Sequence, residues 1–481
     1  MSPSLSRLRL TRWLPDLFVI GVPLIIYTLT LAPTIFAVDS AELTTGAYTL
    51  GLIHPTGYPT YLVLGHLFMQ LPLGDTDPGW RLNLMSAVAA ALTAWVAYRI
   101  TRRFVAQAAT AILSALIGAL SFYVWGESNI AEVYSLNWLL VLLGFWLLLK
   151  WIESGRERWL YACAFVGGLS LTHHLSAGLA FPGYAVLIFF NGRRRPTLRA
   201  FAGAAVIFAI GLLPYVYLPL RYAAAPDIDY ARKYLQTDLS TLDGVRWYIS
   251  GGTFQSLLRL MPLDTQLAEA WSFLKYVLYN FLVIGVALSA AGAIGLWRTA
   301  RSFLAATLIA FIATALFYFN YEVFDKYTMY GVCLWLMAIW LGPGLELLIA
   351  HTSPRLGYGM ATGLLALQLI VFYPQSDMSQ FTSIRDKRLT ALQQLPAQAV
   401  YFGDWETVVV SEYLQIVEHY RSDVLVLNLP YMVPAQREAY AAQLADADRP
   451  LCFSRFLADQ AEADGAVVTL IGEDCHQLRW P

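Results

Sequence analysis

The chain has 481 residues, of which 58% are hydrophobic and 14% charged, and its mean hydropathy is +0.53. A soluble domain runs nearer about 45–50% apolar and about 25% charged, so a disordered chain, a collagen, a coiled coil and a disulfide-stapled secreted scaffold are excluded in favour of a polytopic helical membrane protein. The net charge of −1 hides a division: from Gln375 onward there are 8 Lys and Arg against 15 Asp and Glu, whereas the first 374 residues carry 24 against 18. No basic run is long or aromatic enough to argue for nucleic acid.

A bilayer-crossing helix needs about 20 mostly apolar residues. Eleven segments fit: 15–35, 81–101, 104–125, 136–152, 158–172, 176–191, 199–219, 272–297, 301–320, 327–350 and 356–374. The fifth and sixth are short, with His173 and His174 at the turn between them. Residues 59–72 are apolar but too short for a span and read as a juxtamembrane or re-entrant helix. One set of helix ends carries Arg7, Arg9, Arg12, Arg99, Arg102 and Arg103. The same side continues with Lys150, Arg156, Arg158, Arg193, Arg194, Arg195, Arg199, Arg298, Arg301 and Arg355, while the short loops opposite hold almost only Lys326. Positive charge stays inside, so the N-terminus is expected in the cytoplasm of a bacterial inner (plasma) membrane, with the acidic tail outside. Residues 1–35 read as an uncleaved first span.

Three outer segments are long: a first loop at about 36–80, a second at about 220–271, and the tail from 375. The chain thus divides into a transmembrane domain, 1–374, and a small soluble α/β domain, 375–481. In the tail, 399–403 and 423–428 read as strands and 407–420 as a helix. Cys163 and Cys333 lie in apolar runs and read as core. Cys452 and Cys475 lie in the tail and could pair if it is outside the cytoplasm, which spacing does not decide.

Ionisable groups near membrane ends are expensive and mark function. Asp39 and Glu42 are three apart, so a helix puts both carboxylates on one face. Two near carboxylates can divide labour, one as base and one holding a substrate or cation. On spacing alone, the simpler reading is that Asp39 caps a helix whose positive end favours Glu42. Next comes Gly51-Leu-Ile-His54-Pro55-Thr56-Gly57-Tyr58-Pro59, where proline and glycine fix a bent backbone around an imidazole and a phenol. The loop after the third span carries Glu127, Glu132 and Tyr134 with no cation. His173 and His174, adjacent on a helix, point about 100° apart and do not share a metal. Arg221 and Lys326 lie near the outer headgroups, where each suits a phosphate or simply snorkels. No Walker motif, Rossmann glycine set or metal-spaced Cys/His set is present.

The run Asp39-Ser-Ala-Glu42 with His54-Pro-Thr-Gly-Tyr-Pro59 resembles the bacterial relatives of the eukaryotic transmembrane protein O-mannosyltransferase acting on plexin-type receptors, membrane glycosyltransferases of the GT-C superfamily. The likeness continues at Ala131–Leu136, Thr172–His174, Leu218–Arg221 and Tyr413–Asp423. It implies a helical GT-C fold and a polyprenyl-phosphate-linked sugar donor, the sugar a hexose such as mannose. The acceptor would be a protein Ser/Thr hydroxyl or a glycan. Asp39 matches the family's essential acid, the base of an inverting displacement, and Glu42 its partner. Arg221, Lys326, His173 and His174 would hold the donor phosphate, and His54, Tyr58, Glu132 and Tyr134 would contact substrate. Some GT-C enzymes use a divalent cation (Mg or Mn) and others none, and the residues leave this open. The chain departs from the family in its small tail, which has no helical repeat array. The alternative function is a transporter or flippase of a lipid-linked sugar. Against it stand apolar span centres and the lack of a second copy of the Asp39–Pro59 pattern.

Overall fold

All eleven apolar segments are helical. The computed structural model describes residues 3–323, 325–445, 449–472 and 474–479, and the side chains of Arg7, Arg9 and Arg12 lie outside those described. Among the described residues, eight helices are long and apolar enough to cross a membrane, and a ninth crossing results if Ala108–Ala119 and Phe122–Ser128, bent by 69°, count as one. Eleven is therefore a number of apolar helical segments rather than of full-length crossings. The shortfall lies where the sequence is short: Glu157–His173 has 17 residues, and Leu175–Phe189 follows at once. His174 breaks the pair because its backbone is extended, and its Nδ1 accepts the Ser176 N–H. The chain is an integral membrane protein.

The helical segment Leu263–Thr299, kinked at Leu282 where the backbone turns left-handed, packs against Gly331–His351 through small residues. A Cβ on Gly292 would sit 1.7 Å from the Trp340 carbonyl, and one on Gly344 would sit 1.8 Å from that of Leu288. Between helices in lipid, where the hydrophobic effect is absent, such backbone proximity is a main source of attraction.

One end of the bundle carries a polar layer. The first long loop folds into helices Ser40–Thr49 and Pro59–Met69, so the short apolar stretch is a helix as expected. The tail forms a five-stranded sheet. Its strands are β1 (Val400–Gly403), β2 (Leu425–Asn428), β3 (Leu451–Phe453), β4 (Val467–Gly472) and β5 (Cys475–Arg479), in the order β2-β1-β3-β5-β4. β1 pairs in parallel with β2 and β3, whereas β5 runs antiparallel to β3 and β4. The expected strand–helix–strand unit is β1, Trp405–Ile416 and β2, and the sheet extends beyond it through β3 and the β4–β5 hairpin. Cys452 and Cys475 form a disulfide that ties β3 to β5. Ile35 and Ala41 of the first loop share a core with Val409 and Tyr413 of the tail, so the sheet domain sits directly on the first outer helix.

Candidate active site

Asp39 stands at the N-cap of Ser40–Thr49 but makes no capping bond with its side chain. Its carboxylate faces a cavity instead. Glu42, one turn on and 2% exposed, points inward. Its Oε1 accepts the His54 backbone N–H at 2.7 Å, and its Oε2 lies 2.5 Å from His54 Nδ1. His54 Nε2 lies 2.9 Å from the Tyr58 hydroxyl and 3.8 Å from Asp39 Oδ2. The His-Pro-Thr-Gly-Tyr-Pro string folds back to permit this. Gly57 is at φ +81°, where a Cβ would also press to 2.8 Å from Leu218, so glycine is required. Tyr58 follows at φ 42°, a left-handed conformation of the kind that gathers at functional sites.

Burial opposes charge on His54, but the carboxylates of Glu42 and Asp39 outweigh it and push the imidazole up to about 9. Burial also lifts Glu42. The pair therefore holds a proton at neutral pH. Asp39, Glu42 and His54 bring one ligand atom each within 4.8 Å, which makes them the group that could hold a divalent cation among the described residues. Both oxygens of Glu42 are already engaged by His54, His54 Nε2 faces the Tyr58 hydroxyl and Asp39 Oδ1 the Trp405 indole, so Asp39 Oδ2 is the atom left to such an ion.

The cavity measures about 620 Å³. The first loop contributes Asp39, His54 and Tyr58, and the membrane helices Tyr134 and His174. The second loop contributes Phe254, and the tail Trp405 and Tyr431. No Lys or Arg is among its lining residues. Tyr134 donates to Asp325 Oδ2 at 3.3 Å. Burial first, and then Asp39, raises both Asp325 and Glu132 above the usual carboxylate range. Glu132 itself is buried behind the wall. His174 lies stacked 5.8 Å from Tyr58, and burial and then His54 hold it down at about 4, so it is neutral. His173 points away and donates to the Val133 carbonyl at 2.8 Å.

Arg221 and Lys326 are not brought to this wall. Lys326 pairs with Glu269 at 2.7 Å. Arg221 donates to the carbonyls of Leu50 (2.5 Å) and Thr49 (3.2 Å) at the end of Ser40–Thr49. It belongs to a clamp by which the second loop grips residues 49–54. Tyr217 donates to Gly51 at 2.7 Å, Tyr248 donates to Ile53, and the Leu52 N–H donates to Ile228 at 2.7 Å. Arg221→Ala and Arg221→Lys should then both cost about 1.5–3 kcal/mol in thermal melts, since lysine cannot fork to two carbonyls. If Lys restored donor turnover that Ala loses, a phosphate-holding charge would be the better account.

Sequence reasoning missed Trp405, Tyr431, Phe254 and Asp325 as wall residues. The Trp405 indole N–H donates to Asp39 Oδ1 at 2.9 Å across 366 positions. Its helix is anchored by buried Glu412, which accepts from Tyr230 and from Lys233 of the second loop. No spacing pattern reports contacts of that range.

Comparison with solved structures decides the architecture. ArnT from Cupriavidus metallidurans bound to undecaprenyl phosphate superposes over 97% of each chain, with TM-score 0.63 and 12% identity. The chain has the GT-C fold. The archaeal oligosaccharyltransferase AglB from Archaeoglobus fulgidus, in complex with an inhibitory peptide and a dolichol-phosphate, covers 97% of this chain with 74% of its own at TM-score 0.52 and 12% identity. The resemblance read from the first loop is found as well. Residues 39–197 match the family described as Protein O-mannosyl-transferase TMEM260 N-terminal domain. The Mus musculus Protein O-mannosyl-transferase TMEM260 is 35% identical over 202 residues, 40% of this chain and 28% of that protein. The Dictyostelium discoideum protein of the same name is 25% identical over 464 residues, 85% of this chain and 56% of its own. The GT-C chain thus spans about half or less of the curated relatives it matches.

Proposed function

We infer that the chain is a membrane glycosyltransferase that moves a sugar, a hexose such as mannose, from a polyprenyl-phosphate donor to an acceptor hydroxyl with inversion. The observation that carries this is a cavity-facing carboxylate, Asp39, backed by a buried Glu42–His54 pair. It sits on a fold whose solved neighbours were captured with undecaprenyl phosphate and dolichol-phosphate. The matched relatives are named O-mannosyl-transferases. Asp39 takes the acceptor proton as the hydroxyl oxygen attacks the anomeric carbon. The bond from that carbon to the phosphate oxygen breaks, and polyprenyl phosphate leaves with the electron pair. The phosphate is a good leaving group and needs no strong general acid. His174 and Tyr58 line its end of the cavity. Glu42 keeps His54 in place and protonated, so that the imidazolium offsets charge beside Asp39. The acceptor is a protein Ser/Thr hydroxyl or a glycan. The tail lies outside the cytoplasm of a plasma membrane, in keeping with its disulfide and with the basic residues at the far helix ends.

The test is donor consumption by purified protein in detergent, over a panel of polyprenyl-phosphate sugars. One sugar should be consumed. A folded protein that binds a lipid-linked sugar without cleaving it would be a carrier instead. Trp405 positions Asp39 and does not touch the reacting atoms. Trp405→Phe should lower kcat by about tenfold with the donor KM little changed. An unchanged kcat would mean that the indole only fills space.

A further inference from the structure

A second cavity of about 570 Å³ lies among Trp13, Asp16, Tyr98, Arg99, Arg102 and Arg103. It is at the other end of the bundle. Helix Tyr134–Ser154 begins with cavity-lining Tyr134 and ends beside Glu153 of this pocket, 21 residues or about 30 Å away. Two of its arginines are neutralised. Arg99 reaches Asp16 at 3.0 Å and Arg103 reaches Glu153 at 2.5 Å. Arg102 spends one nitrogen on the Val105 and Ala106 carbonyls and forms no ion pair among the described residues. One turn before Glu153, Lys150 lies over the Trp159 ring at 3.9 Å, and Arg158 shares that ring at 4.8 Å. Neither has an ion-pair partner among the described residues. Arg102 thus lines the pocket without an ion-pair partner among the described residues, and Lys150 and Arg158 stand beside it, one turn from its Glu153 wall. Snorkelling alone would spread them outward and would enclose nothing. Directly beside the pocket, the first helix turns Trp13, Leu14, Leu17 and Phe18 outward, each more than half exposed.

We propose that this pocket binds the headgroup phosphate of an anionic phospholipid, with the acyl chains lying along Leu14, Leu17 and Phe18. A guanidinium grips a phosphate diester through paired N–H donors, and flanking cations attract the net negative charge that a zwitterionic lipid lacks. The site is independent of the outer cavity and of the reaction proposed there.

The full chain in detergent, incubated with equal phosphatidylglycerol and phosphatidylcholine and examined by native mass spectrometry, should retain phosphatidylglycerol about tenfold in preference. Arg102→Gln with Lys150→Gln should abolish that preference. Lys150→Gln alone should reduce it, with the melting temperature lowered only slightly by loss of the Trp146 and Trp159 ring contacts. Equal retention of the two lipids, or a preference that survives the double variant, overturns the proposal. Displacement of phosphatidylglycerol by an equal concentration of inorganic phosphate also overturns it, because the pocket would then take the phosphate group and not the lipid.

Discussion

Asp39→Asn should lower donor turnover by about 10²–10⁴-fold, the range of a positioned general base. The amide keeps the shape of the carboxylate and still offers an oxygen to the Trp405 indole, so fold and membrane insertion should persist. What it loses is the capacity to take a proton from the acceptor. Donor consumption measured beside a thermal melt separates the two effects. Normal turnover in a folded Asp39→Asn protein would end the base assignment. The contrast with Trp405→Phe is informative, since the indole acts only through Asp39. Its removal should lower kcat rather than erase activity.

Glu42→Gln should be the most destabilising single change at the site. Glu42 and His54 are 2% and 3% exposed and face each other at 2.5 Å. Removing one partner of such a pair costs about 3–5 kcal/mol, because the other charge is left buried and unpaired. The Glu42 and Asp39 carboxylates lift His54 from the ordinary 6.5 to about 9 against the opposing effect of burial, so its favourable contribution is complete below about 6.5 and is lost as pH rises through about 9. Activity should accordingly fall on the alkaline side near 9. In Glu42→Gln the burial that opposes the imidazolium prevails, and that limb moves to lower pH. The double variant Glu42→Gln with His54→Gln should melt higher than the sum of the singles implies, since neither charge remains. Additive losses would show that the two residues do not act as a pair.

Much of the architecture was legible because its signals are local. All eleven apolar stretches became helical, some broken into two or more helices, since in lipid a backbone must satisfy its own hydrogen bonds. The tail's first strand–helix–strand unit followed from apolar periodicity and acidic composition. In the first loop, two carboxylates one helical turn apart, and a His ringed by Pro and Gly, marked the residues that meet at Glu42 and His54. The break at His173 and His174 was visible, but spacing could not tell which of the two would turn to the cavity. His174 does so because the helix ends before it.

The sequence by itself therefore determined the membrane class, the helices and the chemistry gathered in the first loop, for each rests on neighbours within a turn or two. Tertiary structure alone decided which charges reach the cavity. It spent Arg221 on the carbonyls of Thr49 and Leu50 and Lys326 on Glu269. It carried Trp405 from the far end of the chain onto Asp39. A cation near a membrane end is equally suited to a phosphate, a carboxylate or a helix terminus. Only the folded positions of those competitors choose among them.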